Sequence, residues 1–132
     1  MKTSSKIYLA DSRIKDAGRG VFATRKIKKG ETIEVCPVIL LKGEGDKLRD
    51  SELYHYYFLW DKQPDAAIAL GFGSLYNHSF SPNATYKKQL NTKTLEIISI
   101  KDIEKNEEIT INYNYGDPNM ALRWIKSKKP PK

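Results

Sequence analysis

The sequence is poor in the residues that bind metals. It contains one cysteine, Cys36, and two histidines in 132 residues. A single cysteine cannot form an intramolecular disulfide or a cysteine-based zinc cluster, so a reducing compartment is the expected environment. His55 and His78 are far apart in the chain and have no cysteine or aspartate cluster at ligand spacing around them. We therefore predict no metal site.

Long apolar runs are also missing. No stretch approaches the roughly 20 apolar residues that a membrane-spanning helix requires. The chain begins Met-Lys-Thr-Ser-Ser-Lys, which contains no apolar signal region. The sequence therefore predicts a soluble, cytoplasmic protein without a membrane partner.

Several common catalytic signatures are absent. There is no Gly-x-Ser-x-Gly element, and Cys36 lies in an apolar, strand-like run rather than beside a base. A Walker phosphate loop is missing, and Gly18-Arg-Gly20 is only half of a dinucleotide-binding fingerprint. These absences argue against nucleophilic hydrolysis and against P-loop chemistry.

Acidic residues are outnumbered by basic ones. The 23 Lys and Arg against 16 Asp and Glu give a net charge of +7, which favours acidic partners such as nucleic acid or acidic protein surfaces. The excess is diffuse apart from residues 26–29 and 126–132, and no basic-aromatic signature is present. Direct nucleic-acid binding therefore stays open but is not favoured.

The apolar pattern predicts a mainly β chain that forms one domain over residues 1–132. We expect a core over about 6–117, a helical C-terminal segment over 118–128 and a disordered tail over 129–132. β-prone stretches predict strands over 6–10, 21–27, 32–41, 66–70, 84–90, 95–103 and 109–115.

Two short helices complete this prediction. Ser51 is a plausible N-cap for a helix that ends at Trp60, and a second helix is expected from Met120 to Lys126. Pro37 interrupts the strand over 32–41, so it should lie at a bulge or on a sheet edge.

The run Gly71–Asn83 is the most unusual part of the chain. It combines turn formers, aromatic residues and polar side chains between two apolar stretches, and it fits neither a strand nor a helix pattern. A polar irregular segment in apolar surroundings must satisfy its backbone groups through side chains, water or a ligand. The run is either an ordinary surface loop with Asx-type turns or the floor of a binding site.

Three motifs occur in order along the chain: Gly18-Arg-Gly-Val-Phe-Ala23, Tyr76-Asn-His-Ser-Phe-Ser-Pro-Asn83 and Glu107-Glu-Ile-Thr-Ile-Asn-Tyr113. Together they resemble the SET-domain protein lysine methyltransferases, and the resemblance covers almost the whole chain. The second and third motifs form a specific pair, far stronger than the two glycines alone. The resemblance implies a β-clip fold, in which small twisted sheets surround a pseudoknot with few short helices.

The resemblance also implies S-adenosyl-L-methionine as the cofactor and a protein lysine as the substrate, on opposite sides of a narrow channel. The backbone of Gly18, Arg19 and Gly20 would approach the methionine part of the cofactor. Asn77 would bind it through its side chain, and His78 would contact the adenine mainly through its backbone, with no role in proton transfer.

By the same resemblance, Tyr113 is the catalytic tyrosine, whose hydroxyl orients the lysine amine and holds the methyl group. Tyr115 would line the substrate channel, and Trp124 would cover the adenine. Tyr76 and Ile111 are the other expected channel residues, with Ile111 at a position that often tunes how many methyl groups are added.

Some positions depart from the family pattern. Phe80 replaces a frequent cysteine, Ser74 a frequent basic residue and Asn112 a common aspartate, and no cysteine-rich tail follows. We therefore expect no zinc-binding closing segment, and we expect the C-terminal helix or a partner to close the site. The alternative hypothesis is a non-catalytic SET-like or basic β-domain that binds acidic protein or nucleic acid, and a homodimer is compatible with either.

Overall fold

The computed structural model of the protein describes residues 4–48, 50–62 and 64–113. The predictions for Tyr115, for Trp124 and for the C-terminal helix and tail lie outside these residues. None of the helices in the described part of the chain is long and apolar enough to cross a membrane.

The described chain is built from strands joined by short turns, as the sequence predicts. The only helical elements in this part are 3₁₀ helices at Gly45–Leu48, Glu52–His55 and Gly73–Leu75. The strands are β1 (Ile7–Asp11), β2 (Arg19–Ala23), β3 (Thr32–Leu41), β4 (Tyr57–Leu59), β5 (Ala66–Ala69), β6 (Asn77–His78), β7 (Ala84–Gln89), β8 (Thr94–Ser99) and β9 (Glu108–Ile111).

These strands form two sheets, and one of them contains the three sequence motifs. One has the order β4-β5-β3-β8-β7, and all of its pairings are antiparallel. The other has the order β1-β2-β9-β6 and brings all three sequence motifs together. In this sheet β6 runs parallel to β9, with Asn77 opposite Thr110 and His78 opposite Ile111.

The core takes residues from both sheets and is built mainly from isoleucine and alanine, with a few aromatic side chains. In β8 every second residue is buried, which places Leu95, Ile97 and Ser99 on one face. Ile109 and Ile111 of β9 are fully buried in the same cluster. The apolar face of β9 therefore fixes the strand that carries the third motif.

The helix predicted from Ser51 to Trp60 is wrong beyond its first turn. Ser51 does cap a 3₁₀ helix, because its side chain accepts a hydrogen bond from the N–H of Leu53. The chain then adopts an extended conformation in β4, whose residues pair with β5. A run of aromatic residues is compatible with a helix or with a strand, and here pairing with β5 makes the segment a strand.

The prediction for Pro37 is also wrong. β3 is a central strand, and its register irregularity falls between Thr32 and Glu34. Pro37 is the last residue that pairs with β8, and pairing with β5 begins at Val38. The proline is tolerated because it lies where β3 changes partners, so a missing N–H interrupts neither ladder.

Asn83 fastens the end of the second motif to β9. Its Oδ1 accepts a hydrogen bond from the N–H of Thr110 at 2.9 Å, and its Nδ2 donates to the carbonyl of Glu108 at 2.9 Å. Nδ2 also reaches the carboxylate of Glu107 at 3.2 Å. One buried amide thus satisfies two backbone groups of β9, the N–H of Thr110 and the carbonyl of Glu108.

We predict that Asn83→Ala lowers the free energy of unfolding by about 2–4 kcal/mol, because it leaves buried backbone groups of β9 without partners. Urea denaturation measures the change. Asn91→Ala is the matched control, since Asn91 is exposed in the turn between β7 and β8. An Asn83→Ala variant as stable as this control would contradict the assignment.

Candidate functional site

The side chain of Asn77 joins the first motif to the second. Asn77 is 2% exposed, and its Nδ2 donates to the backbone carbonyl of Arg19 at 3.0 Å. The same nitrogen donates to Oε2 of Glu108 at 2.8 Å. Both hydrogens of the amide are therefore used on acceptors from β2 and β9, and the remaining polar atom of the side chain is Oδ1.

Glu108 and Ser12 were not assigned a role from the sequence, although Glu108 lies inside the third motif. The hydroxyl of Ser12 lies 2.8 and 3.0 Å from the two carboxylate oxygens of Glu108. A carboxylate at the start of a buried strand is the signal that could have identified Glu108. Nothing in the sequence singles out Ser12.

The two glycines of the first motif serve different purposes. Gly18 has φ of 77°, a conformation that glycine adopts without strain. A Cβ on Gly20 would overlap Oε2 of Glu108 and would lie 3.0 Å from Nδ2 of Asn77. Gly20 is thus required by packing against Glu108, whereas the family resemblance implies only that its backbone approaches the cofactor.

Hydrogen bonds to Tyr76, His78 and Tyr86 hold Tyr113 just beyond the end of β9. Its hydroxyl donates to the backbone carbonyl of Tyr76 at 2.6 Å, and its N–H donates to Nδ1 of His78 at 3.0 Å. The hydroxyl of Tyr86 donates to the carbonyl of Tyr113 at 3.1 Å. The phenol therefore meets the peptide group that leads directly into Asn77.

The environment keeps the phenol of Tyr113 protonated. Burial, with smaller contributions from Tyr56 and the negative charge of Glu108, raises the pKa of Tyr113 well above its usual value of 10. At neutral pH this hydroxyl can donate one hydrogen bond and accept others, but it does not act as a phenolate base.

Tyr76 is anchored on its other side by a buried carboxylate. Its ring is 1% exposed, and its hydroxyl donates to Oε1 of Glu34 at 2.9 Å. Oε2 of Glu34 accepts from the N–H of Phe72 at 2.9 Å. Burial, followed by the charge of Glu34, raises the pKa of Tyr76, so this phenol also stays neutral. The carbonyl of Tyr76 accepts the hydroxyl of Tyr113.

The comparisons with known proteins agree with this geometry. The family profile described as SET domain matches residues 18–114, which is most of the chain. The chain belongs to the SET-domain family. The match begins at the first motif and includes all three, which the fold places in one sheet.

Curated relatives of this SET domain include methyltransferases. The chain is 33% identical over 98 residues to the histone-lysine N-methyltransferase, H3 lysine-37 specific, of Schizosaccharomyces pombe, a match that covers 73% of this chain and 66% of the relative. It is 32% identical to a variant-silencing SET domain-containing protein of Plasmodium falciparum, covering 84% of this chain and 5% of the relative. The chain thus spans just under two thirds of the first relative and a small part of the second.

Solved structures show the same fold. A Plasmodium falciparum protein provisionally described as a histone methyltransferase matches with a TM-score of 0.70 and 29% identity, over 89% of this chain and 98% of that one. Chaetomium thermophilum Polycomb Repressive Complex 2 bound to S-adenosylmethionine matches with a TM-score of 0.70 and 22% identity, over 95% of this chain and 17% of that one. The second likeness supports the fold alone.

The structure accounts for one of the departures from the family pattern. Ser74 is buried, and its hydroxyl accepts from the N–H of Ala69 at 3.1 Å and donates to the carbonyl of the same residue at 3.0 Å. The serine therefore closes the turn between β5 and the second motif. Phe80 is largely exposed, with its ring edge-on to His78 at a centroid distance of 4.6 Å.

The structure describes only some of the remaining predicted site residues. His78 lies beside Tyr113, and Ile111 is fully buried in the core. Tyr115 and Trp124 fall outside the described residues. Among the residues that the structure describes, no group of three or more His, Cys, Asp or Glu side chains could hold a metal ion.

The side chain of His78 has a role that the sequence did not indicate. Because its Nδ1 accepts the N–H of Tyr113, the imidazole must be deprotonated at that nitrogen. Burial lowers the pKa of His78 below its usual value of 6.5. Its contribution to stability is therefore present above about pH 6.5 and is lost as the pH falls through the folded-state pKa.

We predict that an NMR titration of the imidazole C2 proton gives His78 a pKa below 6.5. Protonation should broaden or shift the amide resonance of Tyr113 in the same pH range, because it removes the acceptor of that N–H. The only other histidine, His55, is distinguished with a His55→Gln variant. A His78 pKa at or above 6.5 would contradict this assignment.

Proposed function

We propose that this SET domain transfers a methyl group from S-adenosyl-L-methionine to the ε-amine of a protein lysine. One observation carries the proposal: a continuous chain of contacts runs from the carbonyl of Arg19 through the amide of Asn77 and the peptide of Tyr76 to the hydroxyl of Tyr113. These residues come from three separate motifs, and the fold brings them together at a buried phenol.

The residues fit the cofactor in chemical type. The amino-acid part of S-adenosylmethionine carries an ammonium group, and Oδ1 of Asn77 and the carbonyl of Arg19 are oxygen acceptors suited to it. The turn at Gly18, with its positive φ, leaves the backbone of this segment accessible without a side chain. His78, whose ring is committed to Tyr113, would contact the adenine through its backbone.

When bound, the cofactor supplies an activated methyl group, so that a new N–C bond forms on the lysine as the S–C bond breaks and the electron pair stays on sulfur. The protein needs mainly to position the two reactants. The neutral hydroxyl of Tyr113 and the carbonyl of Tyr76 lie together at one point, where they can orient the amine and make weak contacts to the methyl hydrogens.

The lysine must be presented as a neutral amine. Its ordinary pKa near 10.4 means that deprotonation at pH 7 costs about 4–5 kcal/mol. The apolar side chains packed around Tyr113 disfavour the ammonium by desolvation, and a neighbouring sulfonium disfavours it by charge repulsion. The site therefore needs no dedicated carboxylate base.

We also propose a pseudoknot, a single domain and a class of substrate for this protein. The parallel pairing of β6 with β9 supports a pseudoknot at this point. The family match over residues 18–114 supports one SET domain as the core of the proposed single domain, residues 1–132. Relatives named as histone H3 methyltransferases make a histone lysine a reasonable first substrate to test. If a histone is the substrate, the protein needs access to chromatin. If the protein is cytoplasmic, as predicted from the sequence, its substrate is a different protein.

We predict that Tyr113→Phe lowers kcat by at least about 100-fold, because the phenol contributes transition-state orientation that the ring alone does not supply. The Kd for S-adenosylhomocysteine should change little, since the Asn77 and Arg19 contacts remain. Labelled methyl transfer to a mixture of lysine-containing proteins measures kcat, and calorimetry measures Kd.

Tyr8→Phe is the matched control for this prediction. The hydroxyl of Tyr8 donates to Asn106 at 2.9 Å in a solvent-exposed contact, and Asn106 is not one of the site residues, so its loss should leave activity unchanged. Undiminished transfer by Tyr113→Phe would remove the assigned role. Absence of both cofactor binding and methyl incorporation in the wild type would reject the function itself.

A further inference from the structure

We propose that Glu108 is a positioning residue that fixes the orientation of the Asn77 amide, so that Oδ1 of Asn77 faces the ammonium group of the bound cofactor. This inference rests on the proposed function and extends it to a residue with no assigned role. Glu108 opens β9, and its carboxylate lies among the Asn77 amide, the Ser12 hydroxyl and the backbone of Gly20.

The first step of the argument is the direction of the amide. The carbonyl of Arg19 is only an acceptor, and an ionised carboxylate is only an acceptor as well. Nδ2 of Asn77 faces both, at 3.0 and 2.8 Å. Rotating the amide by 180° would place Oδ1 against two oxygens and lose two hydrogen bonds, so one orientation is strongly preferred.

The second step is that Glu108 itself cannot move freely. Ser12 lies within hydrogen-bonding distance of both carboxylate oxygens, and the absence of a Cβ on Gly20 leaves the space that Oε2 occupies. The residue is also the first of the four residues of β9, whose next three are buried. The carboxylate is thus held before any ligand binds, which is what preorganisation requires.

The third step concerns what the fixed amide recognises. With Nδ2 committed, Oδ1 can only accept, so the matching group on a ligand is a donor such as an ammonium. The negative charge of Glu108 nearby favours a cation at this point and disfavours the cofactor carboxylate. The inferred subsite is therefore specific for the amino group of the methionine part.

The test compares two ligands by calorimetry on the full chain: S-adenosylhomocysteine and its analogue without the amino group. We expect Glu108→Ala to raise the Kd of S-adenosylhomocysteine about tenfold, the size of one charge-assisted hydrogen bond. The Kd of the desamino analogue should stay within about twofold, because that ligand makes no use of the fixed oxygen. kcat at saturating cofactor should fall much less than the affinity.

Glu108→Gln distinguishes orientation from charge. Glutamine keeps one acceptor oxygen for Nδ2 of Asn77 and carries no charge, so we expect the Kd of S-adenosylhomocysteine to stay within about threefold of the wild type. Glu104→Ala is the control for a lost surface carboxylate, since Glu104 pairs only loosely with Lys26 at 3.8 Å. Gly20→Ala should reproduce the ligand-selective loss, because the new methyl group would displace Glu108.

The outcomes separate this inference from the proposed function. Failure of the wild type to bind S-adenosylhomocysteine would reject both. Wild-type binding with equal affinity for the two ligands would overturn the ammonium subsite alone. An equal loss for both ligands in Glu108→Ala, or a loss in Glu108→Gln as large as in Glu108→Ala, would overturn the role of Glu108 in orienting the amide.

Discussion

The hydrogen bonds of one side-chain amide connect the parts of the chain that form the site. Nδ2 of Asn77 bonds the carbonyl of Arg19 on β2 and the carboxylate of Glu108 on β9, while the backbone of Asn77 lies beside Thr110 in the parallel pair of β6 and β9. Because Asn77 is almost completely buried, each of these bonds would be costly to leave unmade. The arrangement of the three motifs follows from satisfying this amide.

A second set of buried polar groups supports the first. Glu34 on β3 receives hydrogen bonds from Phe72 and Tyr76, which sets the path of the chain just before Asn77. The carbonyl of Tyr76 then receives the hydroxyl of Tyr113. Both tyrosines stay protonated because burial raises their pKa values. One neutral phenol is therefore held by a carboxylate and the other by a backbone carbonyl, which suits a reaction that depends on positioning rather than on proton transfer.

The sequence predicted most strands correctly because their alternation or β-branched content is strong. β3 was predicted to its end residues, and the hairpin of β7 and β8 was placed to within a few residues. The stretch after Ser51 was predicted as a helix because its aromatic residues fit both periodicities, and only pairing with β5 makes it extended. Such pairing depends on residues distant in sequence, which local propensity cannot supply.

Motif resemblance likewise identified Asn77 and Tyr113 but not the residues that hold them. Asn83 is the last residue of the second motif. The motif suggests no structural role for it, although its amide fastens β9. Ser12 and Glu34 carry no recognisable pattern and became visible only through their contacts with Glu108 and Tyr76. Supporting residues of this kind are identified by their contacts in the folded chain. A single sequence contains little information about contacts between distant residues.

The most direct test of the central claim is a crystal structure of the full chain with S-adenosylhomocysteine. The account predicts that the amino nitrogen of the ligand lies within hydrogen-bonding distance of Oδ1 of Asn77, with the sulfur facing the hydroxyl of Tyr113 and the carbonyl of Tyr76. A ligand bound away from Asn77, or one whose sulfur points away from Tyr113, would contradict it.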